Sequence, residues 1–118
     1  MTFVKINGNL YPAEINGSLR DTEWGNRDSK SITLEMDYST AMNLFVDGLA
    51  WSIVYEPPVY VDENGETITP EAEEYDNSEY IVAGSVTDHR NGTVTVKMGM
   101  KTDAEMLAEL VEVLNEEA

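Results

Sequence analysis

Between Asp62 and Tyr80 the chain reads "DENGETITPEAEEYDNSEY", eight carboxylates in nineteen residues with no lysine or arginine among them. Carboxylates this crowded have three chemistries open to them: holding a hard cation, moving a proton between paired acids, or meeting a basic partner. The first fails on spacing. Asp62, Asn64 and Glu66 alternate, and Glu73 stands twelfth when Asp62 is first, as an EF-hand loop requires. Gly65, however, falls at position four instead of six, and Pro70 sits awkwardly in a loop that should run into a helix. What survives is weak divalent binding by crowded oxygens, so no dedicated metal site and no cofactor are expected. The second chemistry, a glycosidase-type acid pair, has no selectivity, because 23 acidic residues offer far too many pairs to single one out.

Other reactive types are sparse. His89 is the one histidine and there is no cysteine, which removes thiolate nucleophiles, disulfides and the usual catalytic zinc sites together. Asp88 is too close in sequence to orient His89 from within a strand, and Ser85 lacks the nucleophile-elbow context. His89 therefore reads as a turn residue. Neither G-x-x-x-x-G-K-[ST] nor G-x-G-x-x-G occurs, so nucleotide phosphates have no cradle. Asn16-Gly17-Ser18 and Asn91-Gly92-Thr93 match the glycosylation sequon, yet without a secretion signal they read as turns. A non-enzymatic protein is the expectation.

Contact with a basic partner is what the charge favours. The 118 residues carry 23 acids against 7 bases, a formal net charge of -16. Residues 1–30 balance four acids with four bases, whereas from Ser31 to His89 thirteen acids meet no lysine or arginine. Direct nucleic-acid binding needs clustered cations, and an anionic membrane would repel this chain. Within the acidic stretch the residues expected to face a partner are Glu63, Glu66, Glu71, Glu73, Glu74, Asp76 and Glu79. Tyr60, Tyr75 and Trp24 join them as aromatics among charges, the type that anchors interfaces. Cross-strand packing is an equal reading for Tyr75 and Tyr80, and Trp51, in an apolar run, reads as core.

These residues need a scaffold. The length suits one domain, residues 1–118, with an acidic hairpin and loop inserted at about 57–79. Asn7-Gly8 joins "TFVKI" to "NLYPAEI" as a hairpin, and Asn16-Gly17 predicts a second reversal. "WGNRDSK", residues 24–30, reads as a polar loop in which Gly25 and Asn26 take unusual backbone angles. "SITLEMDY" alternates, with Ile32, Leu34 and Met36 on one side. A two-turn helix is expected between an N-cap at Ser39 and a stop at Gly48, burying Met42, Phe45 and Val46. Residues 49–55 make a strand ended by Pro57-Pro58. "VYVDENGETIT" suits a small hairpin with Asn64-Gly65 at its tip. Asn91-Gly92 turns the clearest hairpin, Tyr80 to Thr87 against Thr93 to Met98.

The last segment is helical. Thr102 and Glu105 form a capping box, and Met106, Leu107, Leu110, Val111 and Leu114 form an apolar stripe. Glu105, Glu109, Glu112 and Glu116 line a side expected to face solvent, while Glu116 and Glu117 oppose the helix dipole. The sum is an α+β fold, a mainly antiparallel sheet of about six to eight strands with one short helix and a C-terminal amphipathic helix. No apolar run reaches the length of a membrane span and no leader pattern opens the chain, so a cytoplasmic protein is expected.

The phrases "VKINGNLYPA" (4–13), "WGNRDSKSITLEM" (24–36) and "NLFVDGLAWSIV" (43–54) resemble small proteins of unassigned role encoded in phages and prophages of gut bacteria. The resemblance implies a viral accessory or virion role inside a bacterial host, and carries no functional residue with it. Two functions follow as expectations. One is an acidic binding protein that occupies a basic surface of a partner, such as a DNA-mimicking inhibitor of a host defence nuclease. The other is a tail or other virion subunit that assembles with copies of itself through sheet edges.

Overall fold

A computed structural model describes residues 1–117, with side chains through Asn115. The fold is α+β, in the order β1 (Thr2–Ile6), β2 (Asn9–Asp21), β3 (Arg27–Glu35), α1 (Tyr38–Leu44), β4 (Ser52–Tyr55), β5 (Tyr60–Val61), β6 (Thr67–Ile68), β7 (Glu73–Asp76), β8 (Val82–Asp88), β9 (Thr93–Gly99) and α2 (Asp103–Glu117). Seven strands form one antiparallel sheet in the order β7-β4-β1-β2-β3-β9-β8, and β5 pairs with β6 as a separate hairpin. No helix among the described residues is long and apolar enough to cross a membrane.

The Asn7-Gly8 turn forms as its chemistry demands. Both residues have positive φ, 51° and 80°, which matches the twist of the flanking strands, and Ile6 pairs with Asn9 across it. The second expected reversal does not occur. β2 runs unbroken through Asn16 and Gly17, which pair with Ser31 and Lys30 of β3. Ile15 lies opposite Ile32 on the core side, and burying that pair outweighs the turn preference of the two residues between them and the strand's end. β2 therefore serves two neighbours in succession. Residues 9–12 pair with β1, and residues 13–21 pair with β3.

Strand period then builds one buried face. Val4 and Ile6 of β1, Ile32 and Leu34 of β3, and Val94, Val96 and Met98 of β9 are buried in one cluster, joined by Tyr11, Ala13 and Ile15 of β2. α1 covers it. Its N-cap is Asp37 and not Ser39: the Asp37 carboxylate accepts the Thr40 amide at 2.6 Å, and the helix ends at Leu44. The cap stands two residues earlier than expected; Ala41 and Phe45 are buried, and Met42 and Val46 are left half exposed, against expectation. Trp51, immediately before β4, is core as expected; its indole N–H donates to the Tyr80 carbonyl at 3.0 Å and its ring meets Tyr80 edge-on. The strand after it begins only at Ser52.

The polar loop expected over 24–30 is shorter than that. Gly25 and Asn26 do take φ of 66° and 60°, but Arg27 to Lys30 already belong to β3. On the outer face of the sheet Trp24 lies over Gly84 and Gly99, where an added Cβ would stand 2.6 Å and 2.8 Å from its ring. Arg27 stacks on Trp24 at 4.7 Å. Beside them Asp21, 7% exposed, accepts from Lys97 Nζ at 2.6 Å and Ser29 Oγ at 3.1 Å.

Candidate functional site

The acidic stretch is ordered, and the fold divides it into two pieces. Asp62 Oδ1 accepts the amides of Asn64 and Glu66, both at 2.9 Å, closing the small β5–β6 hairpin at Asn64-Gly65 as the sequence predicts. Glu63 and Glu66 stand exposed at its tip. Glu73 to Asp76 form β7, the edge strand beside β4, with Tyr55 opposite Glu73 and Ser52 opposite Asp76. Three of its four residues, Glu73, Glu74 and Asp76, have low strand preference, and the strand holds because its end is fixed by Asn77. Its amide donates to Trp51 O at 2.9 Å, its Nδ2 to Tyr75 O at 3.0 Å, and its Oδ1 accepts from Lys30 Nζ, all within a residue only 2% exposed. Lys30 also stands 4.6 Å above the Tyr80 ring, and burial pushes its ammonium pKa down.

The seven expected carboxylates are all exposed. Strand alternation places those of β7 on both sides of the sheet. Glu74, opposite Val54, and Asp76, opposite Ser52, project on the outer face with Lys5; Glu73 and Tyr75 project on the side of Val4 and Ile53. Glu74 accepts from Ser52 Oγ at 3.0 Å and lies 3.3 Å from Lys5 Nζ, which together hold its pKa below the usual range. Asp76 is lowered by the amide and hydroxyl of Ser78. Tyr75 donates to Glu73 at 2.7 Å, and that bond raises the phenol's pKa. Glu63, Glu66, Glu71 and Glu79 have no side-chain hydrogen bond or ion pair among the described residues. They are the carboxylates left for an outside cation.

Of the aromatics, Tyr60 and Tyr75 are about half exposed, at 54% and 53%, and accompany the acids. Trp24 is elsewhere. It is half-buried over the two glycines under Arg27, so its face is occupied within the molecule.

No group of three or more ligating side chains suited to a metal occurs among the described residues. His89 Nε2 meets Thr95 Oγ1 at 2.7 Å, and Thr95 meets Thr33 Oγ1 at 2.8 Å, a partly buried pair of hydroxyls on the outer face. The neighbouring Asp88 carboxylate accepts the Arg90 amide and does not orient His89. A cleft of about 780 Å³ opens over β1, β2 and β3, lined by Tyr11, Ala13, Ile15 and Leu34 together with Glu14 and Glu35, and His89 is not among its lining residues.

Sequence reasoning missed the residues that hold the site together. Asn77 and Lys30 meet across 47 positions, and Arg27 meets Glu105 across 78. No local pattern carries either pairing. α2 was misjudged in one respect. Its capping box forms, with Thr102 N donating to Glu105 Oε1 at 2.9 Å and Glu105 N to Thr102 Oγ1 at 3.2 Å. The acidic side stays largely exposed, as expected, but its first turns carry ion pairs to the body of the protein. Glu105 takes two bonds from Arg27, at 2.8 and 3.2 Å, and Glu109 pairs with Lys101 at 2.5 Å. Arg27 can do this because its side chain is fixed by Trp24 O and Met100 O, both at 3.2 Å. Glu116 and Glu117, expected to oppose the helix dipole, lie outside the residues whose side chains are described. No family model, no curated protein and no solved structure matches this chain.

Proposed function

We propose that this is a non-enzymatic acidic binding protein whose β7 edge and adjoining β5–β6 hairpin occupy a basic surface of a protein partner. The observation that carries this reading is the placement of the base-free stretch: seven exposed carboxylates are set on a paired strand, a closed hairpin and the segments beside them, and among the described residues one of the seven alone, Glu74, has an ion pair. The acids are expected on one side of the sheet, but β7 divides them between both of its faces, which counts against a flat one-sided contact and leaves only a cleft with two basic walls. A nucleic-acid channel has that form, and carboxylates entering it take the arginine and lysine contacts that phosphates otherwise make. A DNA-mimicking inhibitor of a host nuclease, acting in the bacterial cytoplasm, combines this geometry with the phage-like phrasing of the sequence.

The test replaces Glu63, Glu66, Glu71 and Glu79 with Gln, four positions whose loss breaks no internal bond. Immobilised wild-type protein should capture a nucleic-acid-binding protein from host lysate, release it to competing duplex DNA, and hold it less well at higher salt. The quadruple variant should capture about ten-fold less or lower still, each factor of ten being about 1.4 kcal/mol. Capture that ignores both the substitutions and the DNA would remove this reading.

A further inference from the structure

α2 is built to show its apolar side to something outside this molecule. Met106, Leu107, Leu110, Val111, Val113 and Leu114 are 48 to 61% exposed, although a helix stripe of this kind ordinarily lies on the core of its own domain. The cause is at the helix's base. Arg27 grips Glu105 and Lys101 grips Glu109, both on the acidic side, and the capping box fixes where the first turn begins. These two ion pairs hold the helix by its base only; Glu109 itself stays 57% exposed at its side chain, and the apolar side opposite is left uncovered. No element of the sheet packs on α2 closely enough to cover it, and the molecule is 69 Å long by 34 and 27 Å.

The chemistry of the occupant follows from the width of the stripe and from charge. At 100° per residue the six apolar side chains span about 160°, wider than the narrow seam of a two-stranded coiled coil and suited to a groove that wraps the helix. Every charged residue from Asp103 to Glu117 is acidic, six of them with no base. A second copy is therefore a poor occupant: paired α2 helices would set like charges together, and the cleft over β1, β2 and β3 is itself lined in part by Glu14 and Glu35. An anionic membrane is disfavoured for the same reason. We infer that α2 is a docking helix that lays Leu107, Leu110 and Leu114 into an apolar groove of a different protein, one whose rim carries lysine or arginine. This surface is separate from the β7 edge and does not depend on that edge's role.

The full chain is tested with a defined surrogate for such a groove, a synthetic helical-hairpin peptide whose two helices line a Leu groove with Lys along its rim. A peptide with the same groove and Glu along its rim is the control. Gln keeps nearly the helix preference of Leu, so Leu107→Gln, Leu110→Gln and Leu114→Gln combined should leave the far-ultraviolet circular dichroism unchanged. Wild type should remain monomeric by light scattering and bind the Lys peptide at least about ten-fold tighter than the Glu peptide, the difference shrinking with salt. The triple Gln variant should lose about ten-fold or more of that binding, while the Gln variant at residues 63, 66, 71 and 79 should keep most of it. A concentration-dependent oligomer abolished by the triple substitution would assign the face to a second copy and overturn the inference. Binding to neutral lipid vesicles, or equal affinity of wild type and triple variant for the Lys peptide, would overturn it as well.

Discussion

Asp21 ends β2, caps the 3-10 turn at Thr22–Trp24 through the Glu23 amide, and receives Lys97 and Ser29 on its other oxygen. Lys97 is the largest influence holding its pKa below the ordinary 3.8, with burial opposing and the Ser29 and Glu23 bonds assisting. A carboxylate whose pKa is lower folded than unfolded contributes stability above the unfolded value and loses it as pH falls through the folded one. Asp21→Asn should therefore melt well below wild type at pH 7, and the gap should close as pH drops from about 4 downward. Comparing the two proteins at each pH cancels the titration of the other acids, which both share. A gap of constant size from pH 7 to pH 2.5 would mean that Asp21 acts by shape and not by charge.

α2 gives up little to the sheet it stands on, so its removal is the test at the level of elements. A chain ending at Thr102 keeps the Arg27 contacts to Trp24 O and Met100 O and every strand of the sheet. Its melting temperature should fall by only a few degrees, read by near-ultraviolet circular dichroism of the buried Trp51. A loss of the cooperative transition would show that the helix covers part of the core after all. The elements best read from sequence are those whose signals are local: the Asn7-Gly8 hairpin, the alternation of Ile32 and Leu34, the reciprocal bonds of Thr102 and Glu105. Asn16-Gly17 misled because turn preference is weak beside the burial of Ile15 against Ile32. The acids of the candidate edge were legible by composition, but their distribution over both faces of β7 was not, since the pairing of Glu74 with Val54 fixes it. The orientation of α2 was illegible too, because it hangs on Arg27, distant in the chain.

At the scale of the whole molecule, charge and shape act together. Four ion pairs are present among the described residues against a formal charge of -16, so uncompensated repulsion is the larger electrostatic quantity. Raising NaCl from about 0.01 M to about 0.1 M shortens the Debye length from about 30 Å to about 10 Å, below every dimension of the molecule. The melting temperature should rise by several degrees over that range, and a fall would mean the four attractive pairs dominate instead. The radius of gyration, 18.0 Å, exceeds the roughly 13–14 Å of a compact chain of this length and spreads the charge further.

The middle of the sheet is made of the earliest strands. β1, β2 and β3 are consecutive in the chain and central in the order β7-β4-β1-β2-β3-β9-β8, with β4 and β7 added on one flank and β9 and β8 on the other. During vectorial synthesis the ribosome thus releases a three-stranded meander before any border strand exists; β4 and β7 then add to a waiting edge, whereas β8 must wait for β9, which follows it in the chain, to join it to β3. The five residues from Asn77 to Ile81 tie the two outermost strands to one another, and β9 completes the sheet by pairing with β3 and β8 together.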